Sequence, residues 1–370
     1  MPETQATPSA APAPWQLTYA PALDGLRAIA VSLVFVTHAV YEPFTAGGSA
    51  GVTAFFTLSG FLITSLLLGE IQRTGTIDFR RFYVRRARRL FPAMYAAIIL
   101  IALFSLVTHK ALDISMVAGA AVYLGNFPAI FGAEDGLLSH MWSLAVEEQF
   151  YVVWPFVLWV LLRWTRSRTA VAAVLVLGVI ASATLRAVLY DGSATDLRVY
   201  LGTDTRADAL LIGCLLALFM HGRVLKAPSP AVTVVALVAA LAAFIALGFG
   251  THWWFFVALP TIVPWLTVVV IRVVTTARWT PVLTWAPLVK LGQRSYGFYL
   301  WHLPVVEVVA RAVPNKIPGV PFIVWFVLAA VLSWIVTLLS WHFIERPFLA
   351  KSQRELRDDV HGTPSTSPVS

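Results

Sequence analysis

The sequence predicts an all-α protein, a polytopic transmembrane helical bundle of about ten spans with both termini in the cytoplasm. Of the 370 residues, 58% are hydrophobic and only 12% are charged, whereas roughly a quarter of a soluble domain is charged. Long apolar runs recur along almost the whole chain, and the short alternating segments of an outer-membrane barrel are absent from the sequence. Since only helices or closed barrels satisfy their backbone inside lipid, the apolar runs indicate membrane-spanning helices.

Ten apolar runs are predicted to cross the bilayer. They lie near residues 25–42, 51–69, 90–108, 142–162, 170–190, 206–221, 231–250, 253–273, 291–312 and 322–344. A further segment, 112–131, is ambiguous because glycines and a proline interrupt it. The stretch 73–89 contains seven arginines and is predicted to be cytoplasmic. If 112–131 re-enters the membrane or lies at its outer face, the later basic loops are cytoplasmic too, which favours ten spans over eleven.

Composition outlines three regions of the chain. Residues 1–20 are rich in proline, alanine and threonine and form a predicted disordered tail, 21–350 form the membrane domain, and 351–370 form a polar cytoplasmic tail. The start lacks the basic stretch and apolar core of a signal peptide. The single cysteine permits no intramolecular disulfide. The net charge of +8 is explained by cationic loops that orient a membrane protein, and it does not indicate nucleic acid.

The first run, LDGLRAIAVSLVFVTH, carries two ionisable side chains eleven residues apart, Arg27 and His38. At about 100° per residue they return to nearly the same helical face, roughly 16 Å apart along the axis. Ionisable groups inside lipid are costly and usually mark function. The alternative is that Arg27 extends to the interface and His38 caps the helix, and the spacing leaves both interpretations open.

The stretch WSLAVEEQFYVVWP places two adjacent acids, Glu147 and Glu148, near the start of another apolar helix, beside Trp142 and Tyr151. Adjacent helix positions point about 100° apart, so we expect the two carboxylates to have different roles. A carboxylate near His38 would suit a general-base pair, in which the acid orients the imidazole and stabilises its protonated form. The alternative is an aromatic belt with acids that favour a helix N-terminus.

Arginines are concentrated in the stretch FYVRRARRLFP before the third run. Arg86 and Arg89 lie on one helical face, and such a pair can bind phosphates. The alternative is anchoring to anionic lipid headgroups. No metal-binding motif or Walker-type loop occurs in the sequence, so neither kind of site is predicted. Other polar positions near or inside the apolar runs are Ser59, Arg206, Asp208, Ser295, Tyr296, His302 and Glu345.

Taken together, these stretches resemble the acyltransferase-3 family of integral-membrane O-acyltransferases, over about residues 20–348. The matching stretches are LDGLRAIAVSLVFVTH, GVTAFFTLSGFLIT, FYVRRARRLFPAMY, HMWSLAVEEQFYVVWP, RADALLIG, LGQRSYGFYLWH and IERPF, in this order. The resemblance implies a bacterial enzyme of the cell inner (plasma) membrane. Such an enzyme moves an acyl group, typically acetyl, from cytoplasmic acyl-CoA to a sugar hydroxyl of a surface glycan, glycolipid or glycosylated metabolite.

The resemblance also implies partners and residue roles. Acyl-CoA is the co-substrate, a carbohydrate or glycoside is the acceptor, membrane lipid surrounds the protein, and neither a tightly bound cofactor nor a metal is expected. His38 would be the general base with Glu148 as its partner, although Glu147 could take that place. Arg27, Arg86 and Arg89 would bind the donor. The residues implied in substrate binding are Trp142, Ser143, Glu147, Tyr151, Arg206 and Tyr296.

Several alternatives stay open at the level of sequence. Direct transfer and a transiently acylated residue are both compatible with the motifs. Some members of the family carry an extra hydrolase domain, and a chain that ends soon after IERPF is expected to lack it. A transporter of a small anionic or sugar-like solute could use Arg27 and His38 as a substrate or proton path, although the sequence shows no inverted repeat. The acceptor, the acyl chain length and the oligomeric state are not encoded in a recognisable motif.

Overall fold

The structure is a computed structural model that describes residues 14–40, 45–108, 112–133, 136–193, 195–246, 253–277, 279–313 and 322–349. Every regular element within these residues is helical, which confirms the all-α class. The helices are α1 Pro21–Ala39, α2 Thr45–Thr74, α3 Phe79–Val107, α4 Ile114–Ala121, α5 Asn126–Ile130, α6 Trp142–Thr165, α7 Arg168–Leu189, α8 Leu197–Leu201, α9 Thr203–Met220, α10 Pro230–Ala246, α11 Leu259–Val274, α12 Ala286–Gln293, α13 Ser295–Ala312 and α14 Phe322–Ser340. A short 3-10 helix, Ser139–Met141, precedes α6, and five-residue π-helices at Trp254–Ala258 and Trp341–Glu345 precede α11 and follow α14.

Each of the ten predicted spans coincides with one of the longer helices. In the described residues, seven helical stretches are long and apolar enough to cross a membrane. They are Pro21–Ala39, Gly47–Thr74, Phe79–Val107, Ser139–Thr165, Arg168–Leu189, Trp254–Val274 and Phe322–Leu349. Helices α9, α10 and α13 occupy the other three predicted spans. Whether these three also cross, and on which side the termini lie, stay predictions.

The ambiguous segment 112–131 forms the two short helices α4 and α5. They contain eight and five residues, so α4 is about 12 Å long, less than half of the roughly 30 Å hydrocarbon core. A single crossing helix in this segment is therefore excluded. The buried Asn126 fixes α5, since its amide donates to the carbonyl of Leu201 at 3.2 Å and accepts from Gln149 at 2.9 Å.

Glycines allow the central helices α2 and α9 to approach closely. A Cβ atom on Gly213 would overlap the carbonyl of Thr57, and one on Gly60 would overlap the carbonyl of Leu210. Helix contacts inside lipid depend on such close packing, because lipid tails are as apolar as the side chains and burial alone drives little association. These two glycines therefore set the distance between the helices that carry part of the site described below.

A buried ion pair ties α7 to α9. Arg186 Nη2 donates to Asp208 Oδ2 at 2.6 Å, and the two side chains are 0% and 1% exposed. The same guanidinium also donates to the backbone carbonyl of Thr205 and to Thr261 Oγ1 on α11. A buried pair contributes little by itself, but removal of one member leaves the other charged and unpaired. The pair therefore holds three helices in register.

The segment before α1 packs against the bundle at two points. The backbone N–H of Trp15 donates to the carbonyl of Arg223 at 2.8 Å, and Gly222 N–H donates to the Trp15 carbonyl at 3.0 Å. Further along, Tyr19 donates to Asp24 at 3.0 Å and accepts from Gln293 at 2.8 Å. Residues 14–20, which the predicted N-terminal tail includes, are thus hydrogen-bonded. Residues 1–13 and the predicted tail 351–370 lie outside the described residues.

Candidate active site

A cavity of about 420 Å³ lies between α1, α2, α3, α6 and α13, a volume within the range of small-molecule sites. Its lining includes residues 17–20, which precede α1, as well as Ser143 and Tyr299. Eight of the eleven site residues predicted from the sequence line it. They are Arg27, Arg86, Arg89, Ser143, Glu147, Glu148, Tyr151 and Tyr296. The three that do not line it are His38, Trp142 and Arg206.

Three arginines line the cavity, together with the carboxylates of Asp24, Glu147 and Glu148. Arg27 comes from the first turns of α1, and Arg86 and Arg89 come from the part of α3 that precedes its apolar run. Arg86 is already engaged, because its Nη2 donates to Glu148 Oε1 at 2.5 Å and its guanidinium lies 3.3 Å from the ring centroid of Tyr151. Within the described part of the chain, neither Arg27 nor Arg89 forms an ion pair with a carboxylate. The cavity wall thus presents two cations that are free to meet an anion.

The two adjacent acids face different partners, as their angular separation on a helix predicts. Glu147 Oε1 accepts hydrogen bonds from the hydroxyls of Tyr151, at 2.6 Å, and Ser59. Glu148 instead binds Arg86 through both of its carboxylate oxygens. The neighbouring α3 therefore decides which acid is paired with a cation.

His38 lies at the last turn of α1 and is half-buried. Its Nδ1 is 2.9 Å from the carbonyl of Val34 and 3.2 Å from Nε2 of His302 on α13. The ring of His302 is 0% exposed, and its Nδ1 is 2.7 Å from the Tyr299 carbonyl. A third buried histidine, His140, has its ring centroid 5.4 Å from that of His302. We refer to His38, His302 and His140 as the histidine cluster.

The predicted contact between His38 and Glu148 is not the one that forms among the described residues. Glu148 pairs with Arg86 because a guanidinium attracts a carboxylate more strongly than a neutral imidazole does. His38 takes His302 as its side-chain partner instead. His302 stands out in the sequence as a polar position, but local spacing does not indicate its role, because its partner is 264 residues away. His140, within the stretch HMWSLAVEEQFY, was missed altogether.

The histidine cluster lies directly behind one end of the cavity. The Tyr299 hydroxyl donates to the His140 carbonyl at 2.8 Å, so the hydrogen bond of 2.6 Å to Ser143 is donated by the serine. Ser143 and Tyr299 line the cavity, and the carbonyl of Tyr299 holds His302 in place. Two hydroxyl side chains of the cavity lining thus connect the cavity to the histidine cluster.

Arg206 and Trp142 lie together outside the cavity lining. Arg206 is 1% exposed, and its Nη2 donates to Thr53 Oγ1 at 2.7 Å. Its guanidinium carbon is 5.5, 5.9 and 6.0 Å from the ring centroids of Tyr200, Trp142 and Phe56. The nearby Asp208 is used by Arg186. A buried cation surrounded by aromatic rings can bind an anionic or sugar-like group, because rings and guanidinium planes both accept stacked partners.

These features define a helical membrane protein with a polar internal cavity, in which arginines without a carboxylate partner among the described residues and a cluster of histidines lie within one bundle. The sequence comparison assigns the chain further. Residues 21–342 match the family model of the Acyl_transf_3 acyltransferase domain, and the chain belongs to this acyltransferase-3 family. The resemblance inferred from the seven motifs is thus confirmed.

Curated relatives lie in the same family. The chain is 36% identical over 358 residues to the putative peptidoglycan O-acetyltransferase YrhL of Bacillus subtilis, covering 91% of this chain and 56% of the relative. It is 34% identical over 357 residues to the O-acetyltransferase OatA of Staphylococcus aureus, covering 90% and 58%. It is 33% identical over 352 residues to the peptidoglycan O-acetyltransferase OatA of Listeria monocytogenes, covering 89% and 56%. The chain therefore spans a little over half the length of these relatives. No solved structure matches it.

Proposed function

We propose that this protein is a membrane O-acyltransferase that moves an acyl group, in the first place acetyl, from acyl-CoA to a hydroxyl group of a carbohydrate. The observation that carries the proposal is the cavity, whose lining holds two arginines without a carboxylate partner among the described residues and two side chains, Ser143 and Tyr299, that contact the histidine cluster. Membership of the acyltransferase-3 family supports the reaction type. Two of the relatives are named as peptidoglycan O-acetyltransferases, which supports acetyl as the transferred group and a glycan as the acceptor.

The donor enters from the end of the cavity that holds the arginines. Arg27 and Arg89 bind the phosphate groups of coenzyme A, since charged guanidinium donors are the strongest phosphate ligands in proteins. Arg86, which is fixed by Glu148 and Tyr151, forms the wall beside them. The long arm of the donor then extends along α1 toward Ser143 and Tyr299. Donor entry moves these two side chains aside, and the thioester reaches His38.

The chemical step is a direct transfer with His38 as general base. Nε2 of His38 takes the proton of the acceptor hydroxyl as its oxygen forms a bond to the thioester carbon. The carbon–sulfur bond then breaks, the sulfur leaves as the thiolate of coenzyme A, and the proton on His38 passes to it. The products are an ester and coenzyme A with a free thiol, and His38 is regenerated. A water-poor site favours this step, because water would otherwise compete with the acceptor hydroxyl.

The acceptor approaches from the other side of the wall. Arg206 and its ring of aromatic side chains, Trp142 and Tyr200 among them, lie beside this route. Flat aromatic faces suit the apolar faces of sugar rings, and the buried guanidinium offers donors to an oxygen-rich group. Peptidoglycan fragments are the acceptors to test first, since the relatives carry that substrate in their names.

The test measures acceptor-dependent release of coenzyme A. Membranes containing the protein are incubated with labelled acetyl-CoA, with and without peptidoglycan fragments, and both free thiol and labelled glycan are quantified. We expect both products to appear in equal amounts in the presence of acceptor, and His38→Ala to abolish both while the protein is still inserted. A transporter would release no thiol. Near-normal turnover by His38→Ala would contradict the role of this residue, and no thiol release by the unmodified protein would contradict the reaction.

A further inference from the structure

We propose that His302 is the positioning residue for His38: it accepts a hydrogen bond from Nδ1 of His38 and stabilises the imidazolium that forms during transfer. The inference rests on the proposed function, because it needs His38 to act as the base. It also changes a role, since the family resemblance implies that Glu148 orients His38, whereas Glu148 is bound to Arg86. The contacts of His302 and His38 support this role.

The contacts of His302 determine its tautomer. Its Nδ1 lies 2.7 Å from the carbonyl oxygen of Tyr299, and a carbonyl can only accept, so Nδ1 carries a hydrogen. His302 is 0% exposed, and no carboxylate is paired with it in the described residues, so a charged imidazole would be buried without compensation. His302 is therefore neutral, with its hydrogen on Nδ1. Its Nε2 then carries a lone pair.

The contacts of His38 determine its tautomer in turn. Nδ1 of His38 lies 2.9 Å from the Val34 carbonyl and 3.2 Å from Nε2 of His302. Both of these atoms are acceptors, so Nδ1 of His38 carries a hydrogen that the two share. Neutral His38 then has its lone pair on Nε2. The nitrogen that must take a proton from the acceptor is thus the unprotonated one before the reaction begins.

His302 also stabilises the charged form of His38. When Nε2 of His38 takes the proton, the ring becomes an imidazolium, and its Nδ1–H becomes a stronger donor. Its two acceptors are then a backbone carbonyl, which every variant retains, and the lone pair of His302, which a substitution removes. A buried neutral imidazole meets the new charge without the desolvation cost that a buried carboxylate would carry in the resting protein. His302 thus fills the place that a carboxylate holds in many histidine-base enzymes.

Substitution of His302 separates this role from simple packing. His302→Leu fills the space but offers no acceptor, whereas His302→Gln carries an amide oxygen at a similar distance from the backbone and can accept from Nδ1 of His38. The matched control is His221→Leu, because His221 is a buried histidine, 1% exposed, at the end of α9 and outside the cavity and the histidine cluster. The variants and the unmodified protein are purified separately by the same procedure. Their thermal unfolding, kcat and KM are then compared.

We expect His302→Leu to lower kcat about 10- to 100-fold, the worth of one hydrogen bond to a charged group, with the KM for acetyl-CoA unchanged. His302→Gln is expected to recover most of this loss, and His221→Leu to leave kcat unchanged. Equal losses in His302→Leu and His302→Gln, or a kcat in His302→Leu equal to that of the unmodified protein, would overturn the inference and leave the reaction in place. Absence of acceptor-dependent thiol release in the unmodified protein would overturn the proposed function and this inference together.

Discussion

The cationic wall of the cavity leads to a prediction about the donor. Arg89 lines the cavity from α3 and is accessible to solvent. It has no carboxylate partner among the described residues, so its charge is available to a ligand. Replacing it by glutamine removes the charge but keeps a polar side chain of similar reach. Arg86 is a poorer choice for this test, because its removal would strand Glu148, to which it is bound.

The size of the effect follows from the number of bonds lost. A hydrogen bond between a charged donor and a phosphate contributes about 1.5–3 kcal/mol. At about 1.4 kcal/mol for each factor of ten, Arg89→Gln is expected to raise the KM for acetyl-CoA roughly 10- to 150-fold. The effect on kcat is expected to be small, because the proposed contacts of Arg89 are with the phosphates of the donor and not with the reacting thioester.

The assay compares two donors that carry the same thioester. Acetyl-CoA has the phosphate groups, and S-acetylpantetheine lacks them, so only the first should lose affinity in Arg89→Gln. The control is Arg80→Gln, which removes an exposed arginine from the same helix outside the cavity. An equal rise in KM for both donors, or no rise for either, would refute the assignment of Arg89 to the phosphates.

Two further predictions concern the helix contacts that hold the site. Arg186→Met and Asp208→Leu should each destabilise the protein by about 3–5 kcal/mol, because each leaves a buried charge unpaired, and the double variant should lose less than their sum. Thermal unfolding in detergent measures this, and strict additivity would contradict it. Gly213→Ala should lower the unfolding temperature by forcing α2 from α9, whereas Gly69→Ala, which has open space around it, should not. Equal unfolding temperatures for both glycine variants would contradict the close approach.

The helical part of the fold could be predicted from the sequence because apolar runs are a direct physical requirement of a lipid environment. The ends of the helices were less predictable. Helix α2 continues to Thr74 and α3 begins at Phe79, well outside the apolar runs, because polar residues there remain compatible with a helix. The side-chain cap at Asp78, which accepts from the backbone N–H of Arg81 at 2.9 Å, begins α3 eleven residues before its apolar run.

The candidate site, like the fold, could be predicted from the sequence only in part. The motifs predicted eight of the residues that line the cavity, since arginines, acids and other polar side chains stand out in apolar surroundings. They could not predict which carboxylate meets which cation, because that depends on the rotation of α3 against α6. Nor could they show that His38 meets His302, which is 264 residues away. Local periodicity describes one helix at a time, whereas these contacts depend on how separate helices are assembled.

The segment before α1 has a practical consequence for work with this protein. Residues 17–20 form part of the cavity wall, although they precede the first membrane span. Trp15 ties this stretch to Gly222 and Arg223 at the end of α9. A shortened chain designed from hydropathy, starting at Pro21, would keep every predicted span and yet lose the part of the cavity wall that residues 17–20 form. Affinity tags and fusion partners should therefore be attached upstream of Trp15, with a spacer, so that this part of the cavity wall keeps its shape.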